Sequence, residues 1–360
     1  MRILYLFPEE WTGRRAREIQ VFQTCLALAE AGADVCLVTA GGEDLEAQAQ
    51  RLGRRIPTNF TWHQISRRIG PIKSIALYAR RLRRWLGRQP PFSHTYVRHL
   101  KAAQVLLALQ RSYWWESQEI FAETPPPGSG WERRLSEIER RVIARAAGRV
   151  ATSHAMADAL NRRYFSAPLP FQVIPNAGDP PLERSLADPE GPLVYAGSLG
   201  DWKGLPLALD AAREVGIPVR VVGGTRPEWE RFVRHNLTRG VAGQIEWRPR
   251  VPLSQLPEMF RGCRAGVIPT LPDTGSGRYS CPMKIFDYAR CGLPVVTTAL
   301  PSLQSLDVGG WCRMVQSAET GAWVGALRAP LTGGATAIAW AANHTWSVRA
   351  RQLCAAFDGA

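Results

Sequence analysis

The sequence predicts an α/β protein of two domains, each a parallel sheet flanked by helices. Three observations carry this. Short apolar runs alternate with segments of helical period along the chain. The alternation is interrupted once, by a linker marked by Pro180, Pro181 and Pro192, and then restarts with a new strand, turn and helix. At 360 residues the chain is also long for one core.

Composition narrows the class. Hydrophobic content of 45% and charged content of 21% are those of a globular protein. Seven cysteines are scattered without a C-x-x-C pair, so they read as thiols in a reducing compartment, not as a disulfide frame or zinc site. The first residues, Met1 to Phe7, read as a strand and not a signal segment, and no apolar run is long enough to span a bilayer. The expected location is the cytoplasm, with the inner face of a membrane as a place of peripheral attachment. A net charge of +14 calls for an anionic partner: a phosphorylated substrate, an acidic membrane surface or nucleic acid. The chain carries no zinc finger, RNP signature or basic zipper, which sets nucleic acid aside.

The first half opens with a strand from Ile3 to Phe7, a loop through Gly13, Arg14 and Arg15, and a helix with Ile19, Phe22, Leu26 and Ala29 on one side. Gly32 ends that helix, and Val35 to Val38 form the next strand, which makes a βαβ unit. One glycine in the loop, where a dinucleotide site needs G-x-G-x-x-G, excludes a nicotinamide dehydrogenase. Further strands are predicted at 60–63, 94–97, 119–123, 149–152 and 171–174, with helices at 131–147 and 153–164. Glu123 ends one of these strands, as either a functional carboxylate or a loop-end one. Residues 70–88 put Ile75, Tyr78, Leu82, Trp85 and Leu86 on one helical face and Arg81, Arg84 and Arg88 on another. A basic amphipathic helix of this kind lies on anionic lipid or docks on its own domain with the basic face in water.

The second half restarts with a strand at 193–196, a turn at 197–204, a helix carrying Leu205, Ala208 and Ala211, and a strand at 219–222 that ends in Gly223-Gly224. A strand at 265–268 then leads through a Gly- and Ser-rich loop into a helix from about Pro282, with Met283, Ile285, Phe286 and Ala289 as apolar positions. The helix stops at Cys291-Gly292, and 293–298 is again a buried strand. Such a strand, loop and helix start converge unpaired N–H groups on one point, an anion site suited to phosphate. Lys284 adds a full charge there. Asp287, three residues on, shares its face and could accept hydrogen bonds from a sugar diol. An ordinary crossover with a solvated Lys and Asp is the alternative.

The string Ser280-Cys-Pro-Met-Lys-Ile-Phe-Asp-Tyr-Ala-Arg-Cys-Gly-Leu-Pro-Val-Val296 resembles the donor-binding segment of the GT-B-fold retaining glycosyltransferases of the family 4 type. Gly197-Ser-Leu-Gly-Asp-Trp-Lys-Gly204 resembles that family's diphosphate-binding turn, Val173 to Asp179 its hinge, Ile245 to Pro252 its base-bracketing segment, and Asn343 to Leu353 its closing helix. The resemblance implies two Rossmann-like domains facing across a central cleft: residues 1–178 for the acceptor, 179–340 for the donor, and a closing helix in 341–360. It implies transfer of a sugar from a nucleotide-sugar donor to a saccharide or lipid-linked acceptor, with retained configuration and without a metal. Lys203, Lys284 and Asp287 stand at the positions that hold the diphosphate and ribose. Gly13, Arg14, Gly197, Ser198, Gly223, Arg250, Val251, Ser280, Pro282, Met283 and Ile285 complete the implied donor site. Ser198 replaces an Arg of the family pattern, Tyr279 an acid and Pro125 a His, so a non-catalytic nucleotide-sugar-binding subunit is the alternative.

Overall fold

The computed structural model describes residues 1–13, 15–42, 44–236, 244–272 and 275–359. The chain divides into two compact units, residues 1–176 with 346–360 and residues 177–345.

Unit 1 begins with β1 (Arg2–Phe7), α1 (Ala16–Glu30), β2 (Asp34–Thr39), α2 (Leu45–Arg51) and β3 (Phe60–Gln64). A small hairpin follows, β4 (Arg68–Ile69) and β5 (Ile72–Lys73), then α3 (Ile75–Leu86), β6 (His94–Val97) and α4 (Leu100–Ala108). The unit continues through β7 (Trp114–Ser117), α5 (Gly130–Arg145), β8 (Gly148–Ala151), α6 (His154–Tyr164) and β9 (Gln172–Val173). Seven strands form one sheet in the order β3-β2-β1-β6-β7-β8-β9, all parallel. Ile3 to Phe7 are all buried, as a strand covered by helices on both faces must be.

Unit 2 has β10 (Leu193–Ala196), α7 (Leu205–Glu214), β11 (Val219–Val222), α8 (Arg226–Asn236), β12 (Ile245–Arg248) and α9 (Leu256–Phe260). After β13 (Ala265–Ile268) come α10 (Gly275–Arg278), α11 (Lys284–Arg290), β14 (Val295–Thr298), α12 (Pro301–Gln304), β15 (Cys312–Val315), α13 (Thr320–Arg328) and α14 (Gly334–Ala342). Its parallel sheet runs β12-β11-β10-β13-β14-β15. Successive residues of β10 serve opposite cores: Leu193 and Tyr195 pack with α7 and α13, Val194 and Ala196 with α9, α11 and α14. The last helix, α15 (Trp346–Asp358), belongs to unit 1 and packs on α1. Both units are therefore doubly wound, Rossmann-like sheets whose strand order reverses direction once, at β1/β6 and at β10/β13.

One predicted strand is corrected. Residues 119–123 are not a strand; β7 lies earlier, at Trp114–Ser117, and Phe121–Glu123 form a 3-10 turn. The reason is Glu139, a fully buried carboxylate on α5. It accepts the N–H groups of Phe121 (3.0 Å) and Ala122 (3.2 Å), holding them in the turn and out of a ladder. Burial raises its carboxyl to about 7 despite these bonds.

A buried polar knot holds α15 in unit 1. Glu116 of β7 is fully buried and accepts from Tyr5 (3.1 Å), Gln20 (3.1 Å), Gln118 (2.6 Å) and the Arg349 guanidinium. Arg349 also donates to the carbonyl of Ile174 at 2.8 Å and to that of Pro175.

Candidate donor site

The carboxyl edge of an open parallel sheet binds ligands where the strand order reverses, because the loops on either side part there and leave a crevice. In unit 2 that point lies between β10 and β13. The loop after β10 and the segment after β13 carry Lys203, Lys284 and Asp287.

The two segments are fastened together. The Leu271 N–H donates to the Trp202 carbonyl at 3.0 Å. Gly204, at φ +65°, lies so close to Pro269 that an added Cβ would sit 1.9 Å from its carbonyl oxygen. Gly223, at φ +149°, is pressed on Gly197 in the same way, 1.8 Å from its carbonyl oxygen. Only glycine fits both backbones. Gly223 also accepts from the Trp247 indole at 3.0 Å, and Arg250 donates its N–H to Gly224 at 3.0 Å. Loops following β10, β11, β12 and β13 thus meet at one edge.

Lys284 is the first residue of α11 and points its ammonium into this meeting point. Its Nζ lies 4.1 Å from the centre of the Tyr195 ring, and a Cβ on Gly197 would come within 2.9 Å of it. The nitrogen is shut off from solvent and has no hydrogen-bond partner among the described residues. Burial, and then the charge of Lys203, lower its pKa well below the usual lysine range, although Asp287 opposes this. Lys203 ends a 3-10 turn (Asp201–Lys203), with its ammonium 3.5 Å from the centre of the Trp202 ring. Burial lowers it to about 8. Asp287, half-buried one turn further along α11, is raised to about 7 by burial and by the nearby Asp179. A buried, unpaired lysine whose pKa is lowered further by a second lysine nearby marks a site short of an anion.

The remaining predicted residues divide. Gly197 and Gly223 lie pressed together at this edge, with Gly197 against the Lys284 ammonium. Ser198 is exposed, and its carbonyl accepts from the Tyr195 hydroxyl at 2.5 Å. Arg250 is exposed at the same edge, while half-buried Val251 packs against the core. Ser280 donates to the Gly277 carbonyl at 3.3 Å, and its own carbonyl accepts from Ser302 at 2.5 Å. Pro282 and Met283 are half-buried beside Lys284. The Ile285 side chain is fully buried in the core, so any role in the site falls to its backbone. Helix α11 spans only seven residues, Lys284–Arg290, starting later than predicted, so the lysines and not a long helix dipole supply the positive charge.

In unit 1 the loop after β1 is closed on Glu18. This buried carboxylate accepts from the Thr12 hydroxyl at 2.8 Å and from the Arg15 N–H at 3.2 Å, and pairs with the Arg15 guanidinium at 2.5 Å. Arg15 also pairs with Glu9 at 2.7 Å. Gly13 takes φ +66° inside this loop. Arg14 lies outside the described residues. The sequence reading missed Asp179, Tyr195 and Tyr288 at the unit 2 edge. Tyr288 accepts the Ala196 N–H at 2.9 Å and donates to the Val194 carbonyl at 3.2 Å, which ties α11 to β10. The Asp following the hinge prolines' upstream Asn176-Ala-Gly could have signalled Asp179, whereas a buried Tyr in a strand signals nothing beyond core.

Comparison with known proteins gives the class. The "Glycosyl transferase 4-like domain" family matches residues 18–177, and "Glycosyl transferases group 1" matches residues 191–332. The chain belongs to these GT-B glycosyltransferase families, whose two domains between them cover most of its length. HepE of Anabaena, solved with UDP and glucose, superposes with a TM-score of 0.72 at 15% identity, over 100% of both chains. The α,α-trehalose-phosphate synthase (UDP-forming) of Burkholderia xenovorans gives 0.63 at 14% identity, covering 99% of this chain and 100% of that one. WaaG, a glycosyltransferase of lipopolysaccharide biosynthesis, gives 0.62 at 15%, covering 98% of each chain. At such identities the likeness is one of fold. No curated protein matches the sequence.

The depressed lysines give the site a pH signature. Burial lowers Lys203 to about 8, so a diphosphate bound there as the sequence reading expects would hold it in the ammonium form and draw a proton from solvent above that pH. Binding above pH 8 must therefore take up a proton, and affinity for UDP should fall by about tenfold per pH unit from about pH 8 to 9.5. Titration calorimetry at pH 8.5 in two buffers of different ionisation enthalpy measures the uptake directly. Equal heats in both buffers would contradict it.

Proposed function

We propose that the protein transfers a sugar from a nucleotide-sugar donor to an acceptor hydroxyl, with the donor diphosphate between Lys203 and Lys284 and the ribose diol on Asp287. The observation that carries this reading is the unpaired, buried Lys284 ammonium beside Lys203 at the strand-order reversal. When the sugar–phosphate bond breaks, negative charge grows on the leaving diphosphate, and fixed ammonium groups stabilise it without reorganisation. Because the lysines supply this countercharge, the reading needs no metal. The bond from the anomeric carbon to the diphosphate oxygen is replaced by one to the acceptor oxygen, the acceptor proton is released, and the configuration is retained.

The acceptor in this reading is a saccharide, free or lipid-linked, and the reaction takes place in the cytoplasm or at an anionic membrane face. The HepE and trehalose-phosphate synthase folds make UDP-sugars the first donors to try. Thermal-shift measurements against UDP-, GDP-, ADP- and TDP-sugars test the donor, since a ligand bound only by the native state raises the midpoint. One nucleotide family should raise it by several degrees. NMR of the product from an α-linked donor then tests the chemistry: an α-linkage supports retention, a β-linkage refutes it, and donor binding without turnover with any acceptor favours the non-catalytic subunit.

A further inference from the structure

The positive excess of the chain sits in one stretch. Residues 47–115 contain fourteen Lys and Arg and no Asp or Glu, against a net charge of +14 for the whole chain. The rest of the sequence is balanced. The centre of this stretch forms one continuous surface of unit 1, the β4–β5 hairpin followed directly by α3.

The hairpin pairs Ile69 with Ile72 and Arg68 with Lys73, joined by Gly70 at φ +56° and Pro71. Directly paired residues share a face, so the two isoleucines stand together on one side and the two cations on the other. Ile69 is 62% and Ile72 68% exposed, and Ile75 at the start of α3 is 42% exposed. Helix α3 does not lay its apolar stripe outward. Tyr78 and Leu82 are fully buried, and Trp85 stacks on Phe92 and meets the His63 ring at a tilt. The exposed charged positions of α3 and its end are Arg80, Arg81, Arg83, Arg84 and Arg88. Arg81 ties the helix to the hairpin by donating to the carbonyls of Ser66 (2.8 Å) and Arg68 (3.2 Å). Arg68 pairs with Glu10. Lys73, Arg80, Arg83, Arg84 and Arg88 have no ion-pair partner among the described residues.

We propose that this surface docks unit 1 on an anionic lipid bilayer, with the Ile69–Ile72 tip entering the headgroup boundary and the outward arginines of α3 lying on the charged surface. Exposed aliphatic side chains rimmed by cations have little to gain from water and match the two layers of a lipid interface, acyl chain and headgroup phosphate. A single-stranded nucleic acid would call instead for exposed aromatic rings to stack on, and of the two aromatic residues of α3, Tyr78 is buried and Trp85 is already stacked on Phe92. The inference extends the lipid-linked side of the proposed function, but it concerns unit 1 alone and stands or falls separately from donor binding.

The test is flotation of the full chain with vesicles of phosphatidylcholine alone or with 30% phosphatidylglycerol (about a third, enough to set a surface potential). Binding should require the anionic lipid and weaken with added salt. Each basic residue at such a surface contributes roughly fivefold, so Arg80→Glu/Arg84→Glu should weaken binding by about twentyfold or more. Ile69→Asp/Ile72→Asp should weaken it several-fold at constant net cationic surface on α3. Both variants alter exposed positions, and an unchanged thermal shift with the nucleotide sugar confirms that they fold. Equal binding to both vesicle types, wild-type flotation of either variant, or tighter binding to an RNA oligonucleotide that ignores the isoleucine changes would overturn the proposal.

Discussion

Lys284→Met should make the ligand-free protein more stable and deprive it of its donor. In the wild type the ammonium is buried and unpaired, with Lys203 close enough to lower its pKa further. Methionine fills a similar volume without the desolvation penalty of an unpaired buried amine, so the ligand-free fold should gain stability. The same change removes a charge-assisted contact with the diphosphate, a loss of about 1.5–3 kcal/mol, or roughly tenfold to a hundredfold in affinity. A ligand-free melting midpoint several degrees above wild type, together with lost donor binding, is the expected pair of results. A destabilised variant that still binds the donor would show that Lys284 serves the fold. This opposition of stability and binding is typical of a residue retained for its ligand.

Arg349→Ala should have the opposite character, a large loss of stability with no direct effect on the donor site. Arg349 belongs to unit 1, where its guanidinium meets the buried Glu116 carboxylate and two backbone carbonyls. Removing one member of a buried pair leaves the other charged and unpaired, at about 3–5 kcal/mol. Urea denaturation should place the mutant midpoint of unit 1 well below wild type. In the double variant Glu116→Gln/Arg349→Met, both charges are gone while an acceptor for Tyr5, Gln20 and Gln118 remains, so part of the loss should be recovered. A single mutant within about 1 kcal/mol of wild type would mean that α15 is held on α1 by apolar packing alone.

These two residues also mark what could and could not be read in the sequence. Both lie in patterns with identifiable neighbours, but only Lys284 stands in a spacing that states its task. A lysine at the start of a short helix, an acid three positions on, and a second lysine in the loop after β10 follow from sequence order once a parallel sheet is accepted. The strands of unit 2 were equally legible: β10 and β13 are uninterrupted apolar runs, β11 is apolar but for Arg220, all three are closed by glycine or proline, and each has the predicted limits. Arg349 was hidden because Glu116, its partner, is 233 positions away, and nothing local distinguishes a buried arginine from a solvated one. Residues 119–123 misled for a related reason. Their apolar character suits a strand, but the long-range carboxylate of Glu139 claims their N–H groups. Helix α3 showed the limit of periodicity itself: the two faces were apparent, yet only the fold shows that the apolar one is docked and that the neighbouring hairpin carries the exposed isoleucines.

The central claim is that a nucleotide diphosphate sits between Lys203 and Lys284 with its ribose on Asp287. Titration calorimetry of the preferred nucleotide sugar, with EDTA present, into wild type, Lys203→Ala and Asp287→Asn tests it most directly. The account predicts metal-independent binding by the wild type and a loss of about 1.5–3 kcal/mol in each variant at unchanged thermal stability. Wild-type affinity in both variants would place the donor elsewhere and contradict the account.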